Sequence, residues 1–401
     1  MKKLTRYLQK QALQYSDEKY SSAAYLSPRR NHEPQEKLKH HLKTTSSDNN
    51  NHLRPKMPPN RKPSNRGAAI PSRISSNIQR VQYASENILQ SYELFIPPPP
   101  ASESDSAIPP PYSEKHPSTP SFPIKRLWII FIHGGYFRDP SILASSFHAT
   151  LSLLTDPNSP DQQILALQRH TAGYVSINYR LAPHEAHPQD PTTTPSYEMR
   201  NARWPEILGD VLNALRHFQA KHPSTRPGGD EGYVLVGHSV GATLAMNALL
   251  HMQNQEGIAP PVGIVGVSGI YDFIRLHETF PGYDAMTRNA VDEEDWEGIS
   301  VARKRRGEIE AAWAAAGGEG GGKENKRWLL LAHSKEDTLV DWGQLEAMAN
   351  VFKMDSSKDG PAAVTVKCDV EEIKGKHNAC WEDGRELARV IERCVGEIVG
   401  V

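Results

Sequence analysis

The sequence predicts an α/β fold in which a mostly parallel sheet is covered by helices on both faces. Three observations lead to this fold class. Short apolar runs of strand length recur along the chain, segments with helical apolar spacing follow several of them, and some of the runs are continuously apolar, as is typical of strands buried on both faces. The chain has 401 residues, which suffices for one large or two ordinary domains.

The N-terminal segment is predicted to lie outside this fold. Residues 1–75 carry 16 Lys and Arg against 5 Asp and Glu and have few clustered apolar residues, which is typical of a disordered basic tail. The tail has no repeated nucleic-acid-binding motif, so no nucleic-acid partner is predicted. The α/β domain is predicted to cover residues 76–401, and because the whole chain has a formal net charge of -1, this domain is acidic.

The elements of the predicted domain follow one another as strand and helix. Residues 89–96 alternate like a half-buried strand, and residues 127–132 form a continuously apolar one. The 10 prolines within residues 97–123 predict an extended insertion between these two strands, and a Gly-rich run near 317–322 predicts a flexible loop. The remaining predicted elements are strands over 174–179, 233–236, 263–268, 327–333 and 364–368, and helices over 207–218, directly after 239, and over 381–398.

Composition also predicts a compartment. Three cysteines near the C-terminal end make no disulfide framework and fit a reducing environment. The apolar run at 127–132 is far too short to span a membrane, and no secretory signal opens the chain. The sequence therefore predicts a cytoplasmic protein with no membrane partner. The alternative is mitochondrial import by residues 1–8, which the acidic Asp17 and Glu18 disfavour.

A motif that predicts chemistry is Gly-His-Ser-Val-Gly at residues 237–241. It follows the apolar run at 233–236 and precedes a helical segment, so a strand turns sharply into a helix at Ser239. Such a turn projects a serine hydroxyl away from the backbone, and the flanking glycines let strand and helix approach each other. Ser239 is therefore predicted to be a nucleophile.

A serine nucleophile needs a base, and the base needs a partner that holds its tautomer. Asp337 lies in a loop after the strand at 327–333, and His377 lies in the loop before the last helix. The chain order Ser, Asp, His is that of the α/β-hydrolase architecture, so both are candidate catalytic residues. The alternatives left open are Asp272, Glu336 and Asp341 for the acid, and His333 and His277 for the base.

The loop after residues 127–132 is a candidate oxyanion hole, the set of donors that binds the negative oxygen formed on attack. It reads His133-Gly134-Gly135, and bare glycine backbone can bring N–H groups close to that oxygen. The N–H of Val240, at the start of the helix after Ser239, is predicted to complete the set. The alternative is that the two glycines only make a turn.

These motifs together resemble the kynurenine formamidase (arylformamidase) family, especially its fungal members, within the α/β-hydrolases. The resemblance covers residues from about 80 to 401, roughly four fifths of the chain. Its segments are the His-Gly-Gly-x-Trp-like stretch at 133–137, the Gly-His-Ser-x-Gly-Ala-Thr stretch at 237–243, and residues 268–272, 336–340 and 375–381.

Two features bear on how close this resemblance is. Phe137 stands where the family usually has Trp, which keeps an aromatic ring but loses an indole N–H. The Tyr-Arg-Leu-Ala-Pro stretch at 179–183 is similar to esterases of the hormone-sensitive-lipase type. Those esterases usually have Asp before the serine and a third glycine after His-Gly-Gly, whereas this chain has His238 and Tyr136, which favours the formamidase family.

The resemblance implies hydrolysis of N-formyl-L-kynurenine, a small aromatic formamide, to L-kynurenine and formate, with a broad carboxylesterase as the alternative. It implies Ser239, His377 and Asp337 as the catalytic residues. Because the acyl group is only a formyl, specificity must come from the aryl ring, and Tyr136 and Phe137 are the candidate walls of its pocket. No metal or organic cofactor is expected. The sequence leaves the oligomeric state open, with a homodimer among the options.

Overall fold

The structure is a computed structural model, and it describes most of the predicted α/β domain. The predicted tail at 1–75, nearly all of the Pro-rich insertion at 97–123, and the Gly-rich run near 317–322 lie outside the described residues. Among the residues that the structure describes, no helix is both long and apolar enough to cross a membrane. The described residues are 77–98, 126–226, 228–315, 326–353 and 364–400.

The described strands form one eight-stranded sheet. Its order is β1-β2-β4-β3-β5-β6-β7-β8. β2 is antiparallel to both of its neighbours, β1 and β4, and β3 to β8 are parallel to one another. The predicted mostly parallel sheet is confirmed, and each predicted strand overlaps an observed one. The strands are β1 (Gln79–Gln82), β2 (Ser91–Phe95), β3 (Arg126–Ile132), β4 (Thr171–Ile177), β5 (Glu231–His238), β6 (Gly263–Val267), β7 (Lys326–Ser334) and β8 (Thr365–Ile373).

Helices cover both faces of this sheet, as predicted. They are α1 (His148–Leu154), α2 (Gln162–Arg169), α3 (Glu206–Lys221), α4 (Val240–Met252), α5 (Phe273–Thr279), α6 (Tyr283–Ala290), α7 (Trp296–Ile299), α8 (Arg306–Ala315), α9 (Trp342–Lys353), α10 (Ala379–Glu382) and α11 (Arg385–Val399). Two glycines of β6 show the two faces. A Cβ at Gly263 would lie 3.1 Å from Cδ1 of Ile398 on α11, whereas one at Gly266 would lie 3.4 Å from Cβ of Ala242 on α4.

The last predicted helix, over 381–398, is in fact two helices. The chain between α10 and α11 passes Gly384, whose φ of 79° is in the left-handed region that favours glycine. A Cβ there would lie only 2.4 Å from the backbone nitrogen of Thr150 at α1, so this close approach requires glycine. Beyond the break, α11 packs its apolar stripe, which includes Leu387 and Ile391, into the same core cluster as α1 and the sheet.

The carboxyl ends of the parallel strands meet at one edge of the sheet, and the loops that leave them there carry the predicted site. The His-Gly-Gly segment leaves β3, Ser239 leaves β5, Asp337 follows β7, and His377 follows β8. In open parallel sheets this edge is where ligands bind. The topology therefore gathers residues that are far apart in the chain.

Candidate active site

Ser239 lies at a strained turn between β5 and α4. Its φ of 56° and ψ of -124° are rare for a residue with a side chain, and such strain is typical of functional turns. Both motif glycines are required by close packing. A Cβ at Gly237 would lie 2.3 Å from the carbonyl oxygen of Gly241, and one at Gly241 would lie 2.1 Å from that of Ile132. The motif therefore folds as the predicted turn.

The predicted base, His377, and the predicted acid, Asp337, are in contact. Nδ1 of His377 lies 2.7 Å from Oδ2 of Asp337. The other oxygen, Oδ1, accepts the N–H groups of Leu339 at 2.9 Å and Val340 at 3.0 Å, and the whole Asp337 side chain is buried. Burial alone would raise the pKa of Asp337, but hydrogen bonds from His333 and His377, the charge of His377 and the Val340 N–H hold it well below its ordinary value.

The alternative histidines make their shortest contacts with groups other than Asp337. His333 is fully buried, and its Nε2 lies 2.9 Å from the carbonyl oxygen of Val340 and 3.5 Å from Oδ2 of Asp337. His333 therefore contacts Asp337, as His377 does, but its contact with the carbonyl oxygen of Val340 is shorter. His277 pairs instead with the hydroxyl of Thr287 at 2.8 Å.

Two of the alternative acids, Asp272 and Asp341, accept hydrogen bonds from neighbouring groups, and the third is exposed. Asp272 accepts from Nε of Arg303 at 2.9 and 3.0 Å and caps α5. Asp341 accepts the N–H of Gly343 at 2.9 Å, and Glu336 is exposed. Within the described residues, Asp337 is the carboxylate that contacts the His377 ring.

His238 joins the loop that carries His377 to the turn at Ser239. Its Nε2 donates to the carbonyl oxygen of His377 at 3.0 Å, and the two rings have centroids 4.8 Å apart. Burial lowers the pKa of His238 to about 3, so its ring is neutral and keeps the proton on the donating nitrogen. Because His238 precedes Ser239 directly, this bond joins the His377 loop to the residue before the serine. No role for His238 is predicted from the sequence, because the sequence does not show which loop its side chain contacts.

The predicted oxyanion loop lies against Ser239. A Cβ at Gly134 would lie 3.0 Å from Cβ of Ser239 and 2.8 Å from Nδ1 of His238. Gly135 has a φ of 85°, which bends the loop after β3. Val240 is the first residue of α4, and N–H groups in the first turn of a helix have no acceptor within it. Gly134 therefore lies next to Ser239 in space, and Val240 follows Ser239 directly in sequence.

The two aromatic residues after the glycines differ in position. Phe137 is fully buried and stacks on Phe273 with centroids 6.2 Å apart, and its role in a pocket stays a prediction. Tyr136 is half-buried, shares a hydrogen bond of 2.8 Å with Thr287, and meets the ring of Tyr283 edge-on at 5.5 Å. Tyr136 and Tyr283 are therefore better placed than Phe137 to contact a ligand. Tyr283 lies between β6 and β7, a region in which no motif of the sequence indicates a pocket residue.

A methyl group at position 134 tests how closely this loop must approach the serine. Gly134→Ala is expected to lower kcat by about a hundredfold, since a displacement of about 1 Å at a reacting centre has that order of effect. The reason is that the new Cβ meets Ser239 and His238 at 2.8 to 3.0 Å, so the loop must move away. Gly298→Ala is the matched control, because a Cβ there meets nothing within 4 Å. Equal kcat in both variants would contradict a tight loop.

The described residues offer no group of three or more His, Cys, Asp or Glu side chains arranged to hold a metal ion. The three cysteines among them are free, and burial raises the pKa of Cys380 and Cys394. The polar groups that converge at this edge of the sheet are instead the serine, the histidine pair and the acid.

Comparison with known proteins places this chain in a family. A family model described as the alpha/beta hydrolase family matches residues 129–389, well over half of the chain. The chain belongs to the α/β-hydrolase family. A solved structure of esterase B from Lactobacillus rhamnosis is also similar, at 14% identity over 82% of this chain and 88% of that chain, but its TM-score of 0.48 is too low to add to this assignment.

Relatives within the family confirm the narrower resemblance. A kynurenine formamidase-like hydrolase of Fusarium equiseti is 31% identical over 277 residues, which cover 67% of this chain and 82% of that protein. A kynurenine formamidase of Aspergillus versicolor is 30% identical over 272 residues, which cover 64% of this chain and 84% of that protein. The chain is thus a hydrolase-family member whose homologues include kynurenine formamidases.

Proposed function

We propose that this protein is a serine hydrolase that cleaves N-formyl-L-kynurenine to L-kynurenine and formate, as an arylformamidase. The observation that carries the proposal is the 2.7 Å contact between His377 and Asp337, held beside the strained Ser239 turn by the His238 bond. The names of two relatives at 30–31% identity support the substrate. The proposed role is a step of tryptophan catabolism by the kynurenine route, which also feeds NAD biosynthesis.

The first half of the proposed reaction forms a bond between the formyl carbon and the protein. The hydroxyl oxygen of Ser239 attacks the formyl carbon while Nε2 of His377 takes the hydroxyl proton. Asp337 holds the Nδ1 proton and stabilises the imidazolium. The carbonyl oxygen becomes an anion, which the N–H groups of Gly134, Gly135 and Val240 bind.

The second half releases both products. His377 gives its proton to the aniline nitrogen, and the C–N bond breaks. L-kynurenine then leaves, and the formyl group remains on Ser239 as an ester. A water molecule then attacks this ester while His377 takes one of its protons. Formic acid leaves as the proton returns to the oxygen of Ser239, and it releases its own proton to solvent to give formate, so the enzyme ends in its starting state.

Selectivity is proposed to come from the aryl ring. The formyl group offers almost no surface to bind, whereas an aromatic ring buries considerable area and packs edge-on against other rings. Tyr136 and Tyr283 already meet at 5.5 Å in this geometry. Burial, with a smaller contribution from the charge of Asp337, raises the pKa of Tyr283, so its hydroxyl stays protonated.

The experiment that tests the substrate compares two reactions of the purified full chain. We expect kcat/KM for N-formyl-L-kynurenine, followed by ultraviolet absorbance, to exceed that for p-nitrophenyl acetate. Ser239→Ala is the control for contaminating hydrolases and is expected to abolish both rates. If the ester is favoured by orders of magnitude, the formamidase assignment fails and a broad carboxylesterase takes its place.

A further inference from the structure

Tyr179, which the proposed reaction does not use, contacts the oxyanion loop directly. Its side chain is fully buried, and its hydroxyl lies 3.0 Å from the carbonyl oxygen of His133 and 2.9 Å from that of Gly134. A phenol hydroxyl has one proton, so it donates between these two acceptors. Burial raises the pKa of Tyr179, so the group stays protonated and remains a donor.

These two carbonyls belong to the peptide units that carry the proposed oxyanion donors. The carbonyl of His133 shares a peptide plane with the N–H of Gly134, and the carbonyl of Gly134 shares one with the N–H of Gly135. In a trans peptide the C=O and N–H bonds point in opposite directions, and both units are trans. A hydroxyl that fixes the two carbonyls therefore fixes the direction of both N–H groups.

The segment that carries Tyr179 is itself held rigidly. The backbone N–H and the guanidinium of Arg180 all donate to the buried carboxylate of Asp210, at 2.8 to 2.9 Å. The N–H of Ala182 donates to the carbonyl oxygen of Phe137 at 2.9 Å, so the segment also contacts the far end of the oxyanion loop. A donor on so fixed a backbone can impose an orientation rather than adapt to one.

The ring of Tyr179 adds a second contact with the same loop. It stacks on the imidazole of His133 with centroids 4.2 Å apart and planes inclined by 10°. Nδ1 of His133 lies 3.0 Å from the carbonyl oxygen of Gly134, so this oxygen has two donors. Burial lowers the pKa of His133 to about 4, which keeps the ring neutral with its proton on Nδ1.

We propose that Tyr179 is a positioning residue that orients the N–H groups of Gly134 and Gly135 toward the oxyanion. The proposal rests on the proposed serine mechanism and deepens it, because it assigns a role to a residue that does not touch the reacting atoms. Its effect acts in the transition state, where the oxyanion exists, and not in substrate binding.

The test is Tyr179→Phe, which removes the hydroxyl and keeps the stacked ring. We expect kcat to fall by about ten- to a hundredfold, less than the loss of a whole oxyanion donor, with KM nearly unchanged. The same factor is expected for formylkynurenine and for p-nitrophenyl acetate, since both pass through an oxyanion. The labelling rate of Ser239 by a fluorophosphonate, whose phosphoryl oxygen takes the place of the oxyanion, is expected to fall in parallel.

Tyr233→Phe is the matched control. Tyr233 is also fully buried, on β5, and its hydroxyl also donates to a backbone carbonyl, that of Ala259, away from the loop. It is expected to lose stability but not kcat. His133→Phe is the second variant in case Tyr179→Phe does not fold, because it keeps a stacked ring and removes one of the two donors to Gly134, so a smaller loss in kcat is expected.

Two outcomes overturn the proposal, and a third concerns only the substrate. Tyr179→Phe with wild-type kcat and labelling rate would show that the loop keeps its orientation without the hydroxyl. A rise in KM with constant kcat would show a role in substrate binding instead. If the wild type hydrolyses the ester but not formylkynurenine, the substrate assignment is wrong, while the comparison of variants on the ester still decides the role of Tyr179.

Discussion

Ser239→Ala is expected to lower kcat on formylkynurenine by about a millionfold, the order of effect seen when the nucleophile of a serine hydrolase is removed. The change deletes one oxygen and leaves the backbone as it is. The φ of 56° that strains Ser239 strains alanine equally, so the thermal unfolding midpoint is expected to stay close to that of the wild type. Single-turnover kinetics and thermal unfolding measure the two expectations.

A second buried serine provides the control. Ser268 follows β6 at the same edge of the sheet, is 1% exposed, and also has a left-handed φ, of 48°. Ser268→Ala is therefore matched in burial, backbone strain and chemistry, and it is expected to keep wild-type kcat. Turnover by Ser239→Ala at a rate near the wild type would show that the serine at the strand-to-helix turn is not the nucleophile.

The sheet could be predicted because its strands are unusually apolar. The central strands β3 and β5 are buried along nearly their whole length, so their residues read as continuous apolar runs. β1 has no such signal, because Gln79, Arg80 and Gln82 are exposed, and it was not predicted. The break at Gly384 was missed for another reason. It depends on the approach of Thr150, a contact across more than 200 residues that no local pattern reveals.

The same distinction holds for the site: features that depend on neighbouring residues could be predicted, and contacts between distant segments could not. The turn at Ser239 is set by its own glycines, so the motif predicts it. The choice of Asp337 among four acids depended on chain position, and the contact with His377 agrees with that choice. The bonds of His238 and Tyr179 connect segments whose sequence separation is tens to more than a hundred residues. Such bonds become visible only when the sheet brings the loops together.

Asp337→Asn is expected to lower kcat by about ten-thousandfold, because it reverses the tautomer of the proposed base. Oδ1 of Asp337 accepts two backbone N–H groups, from Leu339 and Val340, so in the variant the amide oxygen takes this place. The NH₂ group then faces Nδ1 of His377 and donates to it. The proton of the imidazole moves to Nε2, where the base must be free to accept the proton of Ser239.

The same variant is also expected to change how the stability of the fold depends on pH. The pKa of Asp337 in the folded protein lies well below its ordinary value of 3.8, so the ionised carboxylate stabilises the fold at pH values above 3.8, and this contribution is lost as the pH falls toward the lower, folded pKa. Unfolding midpoints of the wild type and Asp337→Asn are expected to differ most near neutral pH and to converge in acid. Glu336→Gln, an exposed neighbour, is expected to change neither kcat nor this profile.

Wild-type kcat in Asp337→Asn would mean that His377 is oriented without the acid. The His238 bond to the His377 backbone fixes where the loop lies but leaves the ring free to exchange its proton between nitrogens. The 2.7 Å contact with Oδ2 is the one that selects the tautomer. A loss of kcat without a change in the far-ultraviolet circular dichroism spectrum would therefore separate orientation of the ring from position of the loop, and assign the first to Asp337.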